Sequence, residues 1–522
     1  MVSVRFKNED ITIEVEQGTK ISECIRIANL SIETPCNCVG LCNKCKVKVI
    51  GDVYPLAPAE KSFILNEENI RLACLTAVKG DVEVELINTN KKLKTINRGY
   101  SIEAQVDNDI VEKASGATII LGVAIDIGTT GLSAYLIDMR NGDIINKTSC
   151  LNPQTEFGGD VLSRITFAIN NEDGTKILRD FIVNEVNLMV KELVDDIYEL
   201  EDIYRIMIAA NTTMLHLFAG VNPSSIAKAP YTATFLDKMD LASREIGINI
   251  NREGIVTLLP SASAYVGADI LAGIVANDFQ KKRNSAIFID IGTNGEIVAI
   301  SDGKMVATST AAGPALEGMN ISCGLRAEDG AIDSFTIDED YKISFTTIGS
   351  GKAKGICGSG LIDIAAYMVQ KEIILKSGRF NKNINNKISH KVRVKKFYIT
   401  EDIYISQKDI RQIQLAKGAI SAGISMLLKE INISLETLTE VVIAGAFGYH
   451  INPESIKTIG LIPKGFKGKI TFVGNSSIEG ARLALLNRGI LETIISFHDK
   501  IEIVELSTKD TFQDYFIKAL SF

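Results

Sequence analysis

Histidine is scarce in this sequence, with four residues in 522, and neither His216 nor His450 has a partner at metal-ligand spacing, so no histidine metal site is expected. There is no G-x4-G-K-[ST] stretch, which excludes a P-loop as the means of holding phosphate, and no G-x-S-x-G elbow to support serine-hydrolase chemistry. No apolar run reaches the ~18 residues that a membrane span needs. The opening MVSVRFKNEDITIEV lacks the basic and apolar regions of a secretory signal. Positive charge is short as well: the formal net charge is -8, so no global field would hold nucleic acid or an anionic membrane surface. A cytoplasmic chain that meets small molecules or other proteins is expected. Its 46% hydrophobic and 23% charged content is that of a chain that folds throughout.

What the sequence does have is cysteine in a cluster. Cys36, Cys42, Cys45 and Cys74 read C-x5-C-x2-C with one distant fourth member, inside PCNCVGLCNKC and RLACLTA. In a reducing compartment such spacing indicates ligands rather than disulfides. Three thiolates in one loop and one far away fit a [2Fe-2S] centre, whereas structural zinc more often pairs two separated C-x2-C hairpins. Cys38 keeps a second spacing open, and with it a [4Fe-4S] alternative. Zinc, or plain reduced cysteines, are the remaining readings. Cys24, Cys150, Cys323 and Cys357 lack ligand spacing and are expected as buried structural thiols.

Around this loop, VSVRF and ITIEV alternate as a hairpin, Ile21, Ile25 and Ala28 follow a helical period, and KVKVI and GDVEVEL return to strand. A small β-grasp domain over residues 1–87 is expected, followed by a polar linker over 88–118. From 119 to 522 strands and helices alternate, as in an α/β architecture. IDIGTTG at 125–131 recurs as IDIGTNG at 289–295, suggesting a duplicated, bilobal domain with lobes at about 119–284 and 285–522. The basic, Asn-rich stretch 376–396 reads as a solvated hairpin loop.

In each repeat a buried strand runs into an acid and then a tight turn whose backbone N–H groups can approach phosphate. Asp126 and Asp290 are the candidate catalytic carboxylates, Asp126 being suited to a hydrated Mg²⁺. Gly128, Thr129 and Thr130 in one loop, and Gly292, Thr293, Asn294, Gly295 and Glu296 in the other, are candidate ATP contacts. VVIAGAFG adds a third piece: Gly445, Ala446 and Gly448 would let an adenosine approach the backbone. The helix in DIRQIQLAKGAISAGISMLL, capped by Ser406 or Asp409, would pack beside that turn, with Lys417 either touching nucleotide or on a solvated face. Small-residue clusters at AANTTML, AAGPALEG and GICGSGLID are explained equally well by packing.

The three nucleotide motifs together resemble the acetate and sugar kinase, heat-shock chaperone and actin superfamily, which implies an actin-like (RNase H-like) fold and ATP use. A ferredoxin joined to this ATPase, with NTTMLHLFAG, SAYVGADILAG, AGPALEGMNISCG and GICGSGLIDI, is similar to the reductive activators of corrinoid proteins over nearly the whole chain. The resemblance implies that Cys36, Cys42, Cys45 and Cys74 hold the cluster and that the loops at Asp126, Asp290 and Gly445 surround ATP. It further implies ATP-driven reduction of a corrinoid protein from Co(II) to Co(I) in a methyltransferase system, an external low-potential electron donor and, on general grounds, a homodimer. Asn37, Cys38 and Asn43 stand where the family commonly has glycine. A small-molecule kinase with an appended redox domain is the alternative.

Overall fold

In the computed structural model, which describes every residue except 29, 31, 33, 35–37, 39, 41–44, 59, 61–68, 88–98, 104, 108–118, 446–450 and 498–499, the chain forms two compact units. One comprises Met1–Lys92 with Pro153–Glu172, the other Leu93–Asn152 with Asp173–Phe522.

In the first unit the alternating hairpin forms as the sequence dictates: β1 (Val2–Phe6) pairs antiparallel with β2 (Ile11–Val15), turning Val4, Phe6 and Val15 inward. α1 (Ile21–Ile27) lays Ile21, Cys24 and Ile25 on the sheet. With β3 (Lys46–Val53), β4 (Ile70–Leu72) and β5 (Val78–Leu86) the order is β2-β1-β5-β3-β4, and β1 and β5 run parallel in its centre. This mixed sheet with α1 laid on it is the expected β-grasp. α2 (Val161–Asn170), capped by Asp160, belongs to the same compact unit.

The second unit is built twice over. β6 (Leu121–Ile127), β7 (Gly131–Asp138), β8 (Ile144–Leu151), β9 (Ile203–Ala210), β10 (Met239–Ala242) and β11 (Ile255–Leu258) form a sheet of order β10-β11-β9-β6-β7-β8. Between β8 and β9 runs the long α3 (Gly174–Val194). α4 (Thr212–Ala219), capped by Asn211, and α5 (Ala268–Ala276) follow. The second sheet combines β12 (Ala286–Ile291), β13 (Gly295–Ser301) and β14 (Lys304–Thr310) with the later β21 (Glu440–Ala444), β22 (Lys469–Gly474) and β23 (Ile501–Ile503), in the order β22-β21-β12-β13-β14-β23. In both sheets the acid-bearing strand, β6 or β12, runs antiparallel to its successor and parallel to a later strand, β9 or β21. LGVAIDI and AIFIDI are almost wholly apolar, and in both every residue except the acid, Asp126 or Asp290, is buried.

Two smaller three-stranded sheets lie between β14 and β21: β15 (Ala331–Ile337), β16 (Ile343–Thr347) and β17 (Gly355–Ile356), then β18 (Val392–Arg393), β19 (Lys396–Tyr398) and β20 (Tyr404–Ser406). α6 (Gly358–Gln370) follows β17, and α7 (Gln407–Glu430) starts in a capping box in which Ser406 Oγ accepts from Asp409 N and Asp409 Oδ2 from Ser406 N. α8 (Ser476–Leu486) comes from the second repeat but packs on β6, β9 and α5 of the first, joining the two.

Much of 88–118 lies outside the described residues, but 99–103 and 105–107 are not a free tether. Tyr100 N donates to Val473 O at 2.9 Å, Ile102 N to Ala276 O at 2.8 Å and Asp107 N to Leu486 O at 2.9 Å, so this segment straps along β22, α5 and α8.

Candidate functional site

Both repeated turns open into one cavity of about 420 Å³, at the C-terminal ends of β6 and β12, where open α/β sheets place ligands. Asp126, Gly128, Thr129 and Thr130 line it from one repeat, and Asp290, Gly292, Thr293, Asn294 and Glu296 from the other. Gly445 joins them with φ near +107°; a Cβ there would stand 2.5 Å from Ile291 O, so only glycine lets β21 end against the second turn. Gly295 instead packs away from the cavity, its missing side chain facing Thr310 and Ile420. Ala446 and Gly448 lie outside the described residues.

The turns are held by side chains from far away in sequence. Asn152 Nδ2 donates to Gly128 O at 2.8 Å, and Asn211 Nδ2 to Thr129 Oγ1 at 3.0 Å. Asp126 accepts from Asn475 Nδ2 and Ser477 Oγ, each at 2.8 Å, at the start of α8. Across the cleft Thr130 Oγ1 and Thr293 Oγ1 are 3.3 Å apart, and Thr293 Oγ1 donates to Glu317 Oε1 at 2.9 Å.

The cavity is strongly acidic. Burial, reinforced by mutual repulsion, pushes the Asp269 carboxyl up to about 7 and that of Asp290 to about 8, and burial raises Asp126, Glu296 and Glu317 as well. Arg326 is the one cationic side chain among the described lining residues. A polyphosphate entering here needs a counter-cation. Among the described residues no three acidic, histidine or cysteine side chains converge as metal ligands. Mg²⁺, where it accompanies a polyphosphate, is usually carried by phosphates and waters with one or two carboxylates.

Sequence reasoning missed Asp269, Glu317, Asn475 and Ser477 as site residues. The first two were in view as solitary acids within small-residue segments, GADILAG and AAGPALEG. The others follow a strand in GNSSIEG, a helix-cap signal that says nothing of a contact with Asp126. In GICGSG, Gly358 and Ser359 line the cavity beside Cys357, so packing alone does not account for that cluster, nor is Cys357 merely a core thiol. Lys417 meets neither expectation: it is buried, donates to Ser521 O and lies over the Phe522 ring at 5.2 Å, and burial brings its ammonium down to about 7. His216 uses both ring nitrogens on the backbone, Nδ1 with Thr212 O at 2.7 Å and Nε2 accepting from Thr234 N at 3.1 Å, which leaves neither for a metal.

Of the four cluster cysteines, Cys36 and Cys42 lie outside the described residues. Cys45 and Cys74 are buried with their sulfurs 3.3 Å apart, close enough to serve one metal centre, so the donor set fits an iron–sulfur cluster. Cys74 is steadied from below by Glu60. This buried carboxylate accepts from Arg71 Nε and Leu72 N at 3.1 and 3.0 Å and from Thr76 Oγ1 at 3.0 Å, bracing the chain on both sides of the ligand. Cys24 is a core residue whose thiol burial pushes up to about 11.

A ferredoxin-type module and a two-turn nucleotide cavity in a duplicated α/β unit define an iron–sulfur protein of the actin-like ATPase class. Comparisons with known proteins make this specific. The 2Fe-2S iron-sulfur cluster binding domain matches residues 4–79, the RACo middle region 121–282, and the C-terminal domain of RACo, its ASKHA domain, 284–522. The chain is 34% identical over 441 residues to the corrinoid activation enzyme RamQ of Eubacterium limosum, covering 81% of this chain and 73% of the relative. It is 27% identical over 437 residues to the Co(II) methylated amine-specific corrinoid protein reductase of Methanosarcina barkeri, covering 77% of each. A solved reductive activator for corrinoid, iron-sulfur protein superposes with a TM-score of 0.74 at 28% identity, over 100% of this chain and 98% of that one. The chain belongs to the family of reductive activators of corrinoid proteins.

Proposed function

We propose that this protein uses ATP to drive one-electron reduction of a corrinoid protein from inactive Co(II) to Co(I), returning it to a methyltransferase cycle. The observation that carries the reading is the joining of a buried cysteine pair in a β-grasp module to a nucleotide cavity, in a chain matched end to end by a reductive activator. It also sets this reading above a small-molecule kinase, which has no use for the first module. When bound, the [2Fe-2S] cluster supplies one-electron chemistry. Cys36, Cys42, Cys45 and Cys74 would hold it, and the turns at Asp126 and Asp290, with Gly445, would close on ATP and a hydrated Mg²⁺.

Coupling to ATP has a physical reason. Each ~59 mV of uphill one-electron transfer costs about 1.4 kcal/mol, so a large potential gap makes unaided reduction negligible. ATP binding between the repeats would favour a complex in which the cobalt is easier to reduce. An external low-potential donor, a cytoplasmic location and a two-fold dimer complete the proposal. The test is anaerobic visible spectroscopy of a Co(II) corrinoid protein mixed with this protein and reductant, with and without ATP. A Co(I) spectrum that requires ATP and is lost in Cys45→Ala supports the reading. A yield of Co(I) indifferent to ATP, with the cluster loaded and a competent partner present, overturns it.

A further inference from the structure

The cavity holds more acids than magnesium and nucleotide need, and they are not equivalent. Asp126 is taken up by Asn475 and Ser477, and Glu296 accepts from Ser309 Oγ at 3.3 Å. Glu317 reaches the hydroxyls at the cleft: it accepts from Thr293 Oγ1 at 2.9 Å, and that hydroxyl lies 3.3 Å from Thr130 Oγ1 of the other turn. It is carried by neither turn, but by a short 3-10 helix, Pro314–Glu317, after β14. The two threonine hydroxyls, 3.3 Å apart, come from opposite sides of the cleft. Hydroxyls and turn amides that converge from both repeats mark where a terminal phosphate would sit, since the amides can donate to its oxygens. A carboxylate bonded to the Thr293 hydroxyl beside that place then stands about one water away from the phosphorus.

We infer that Glu317 orients the water that attacks the terminal phosphate of ATP and takes its proton. In this step the water oxygen forms a bond to the terminal phosphorus while the bond from that phosphorus to the bridging oxygen breaks. The water proton passes to Glu317 Oε1, and ADP leaves with inorganic phosphate. Arg326, which lines the same cavity and attracts Glu317, offsets the carboxylate's charge beside the phosphates. The inference rests on the ATP-driven reading above but assigns the hydrolytic step to one side chain.

The test uses the full chain with its cluster loaded, saturating Mg²⁺ and ATP, and a corrinoid protein, reading phosphate release and Co(I) yield in parallel. Glu317→Gln should lower kcat by about 10²–10⁴-fold, leave KM and calorimetric ATP affinity within about threefold of wild type, and unfold at no lower temperature. Glu317→Asp should recover part of kcat. Wild-type kcat in Glu317→Gln, or a loss confined to KM, overturns the inference while leaving the activator reading intact. Phosphate release by wild type without any ATP effect on Co(I) overturns that reading and leaves the role of Glu317 standing. If the wild-type protein releases no phosphate at all, the inference fails.

Discussion

Asp126 ends β6 with two donors from α8 on its carboxylate, whereas Asp290, at the equivalent place in the second repeat, has no side-chain donor among the described residues and faces Asp269, Asp126 and Glu317. The motifs are nearly the same, IDIGTTG and IDIGTNG, yet one acid is clasped and the other repelled. Duplication preserved the backbone device and let the two side chains diverge. Asp126 is a fixed point by which α8 of the second repeat grips the first. Asp290 has its carboxyl pushed up to about 8 by burial and by the acids around it, and an entering cation would favour its ionised form.

The largest expected effect sets the two acids against each other in turnover. Asp290→Asn should lower ATP-dependent phosphate release by about 100-fold or more, because it removes the charge that a cation would call up. Asp126→Asn keeps the size and part of the clasp and should cost about tenfold. Equal losses in the two variants would show that the acids share one role.

Second in size is the pH dependence of stability without nucleotide. A carboxyl whose folded value lies above its ordinary value of 3.8 is destabilising once ionised. The contribution of Asp290 to stability therefore falls as pH rises from about 4 to the folded value near 8. Asp290→Asn removes that loss, so its advantage over wild type in urea unfolding should grow over this range by about 2–5 kcal/mol and level off above it. Asp126→Asn should follow the same sign with smaller amplitude, since Asn475 and Ser477 counter the effect of burial. A flat difference for Asp290→Asn would remove the basis of the contrast.

These contrasts also mark how far the sequence could be read. The hairpin, the β-grasp order and the repeated strand–acid–turn were legible because each is local: alternation, helical period and a motif of seven residues specify them without help from the rest of the chain. The clasp on Asp126 was not, since Asn475 and Ser477 lie 349 and 351 residues away and act only once α8 crosses to the first repeat. Lys417 misled for the opposite reason. Its helical position was right, but the face it occupies is covered by Ser521 and Phe522, a packing event that the helix pattern does not contain.

A third prediction tests the clasp directly. Asn475→Ala leaves one buried carboxylate oxygen of Asp126 without its donor and should cost about 1–3 kcal/mol of stability. In a double-mutant cycle the cost should shrink in an Asp126→Asn background and persist in Asp290→Asn, as expected if the pair interacts and the second turn stands apart. Additivity with both would mean that Asn475 acts only as the cap of α8, where its Oδ1 accepts from Ile478 N at 3.2 Å.

The smallest expected effect reaches the same turn from behind. Gly99, on the strap, pairs with Gly474, and a Cβ on it would stand 2.4 Å from Asn475 O and 2.6 Å from Glu479 Cγ. Gly99→Ala must therefore push the strap or Asn475 aside, at a cost of about 1–3 kcal/mol typical of overpacking. Tyr100 N to Val473 O and Ser101 Oγ to Glu479 Oε2, at 2.9 and 3.2 Å, hold the strap close enough that part of the shift should reach Asn475. ATP affinity is then expected to fall by less than tenfold, and the fall should vanish when Asp126 is already Asn, because Asn475, against which Gly99 packs, is a donor to Asp126. If Gly99→Ala instead weakened ATP binding equally in the Asp126→Asn and Asp290→Asn backgrounds, the strap would act on the whole cavity and not through the clasp.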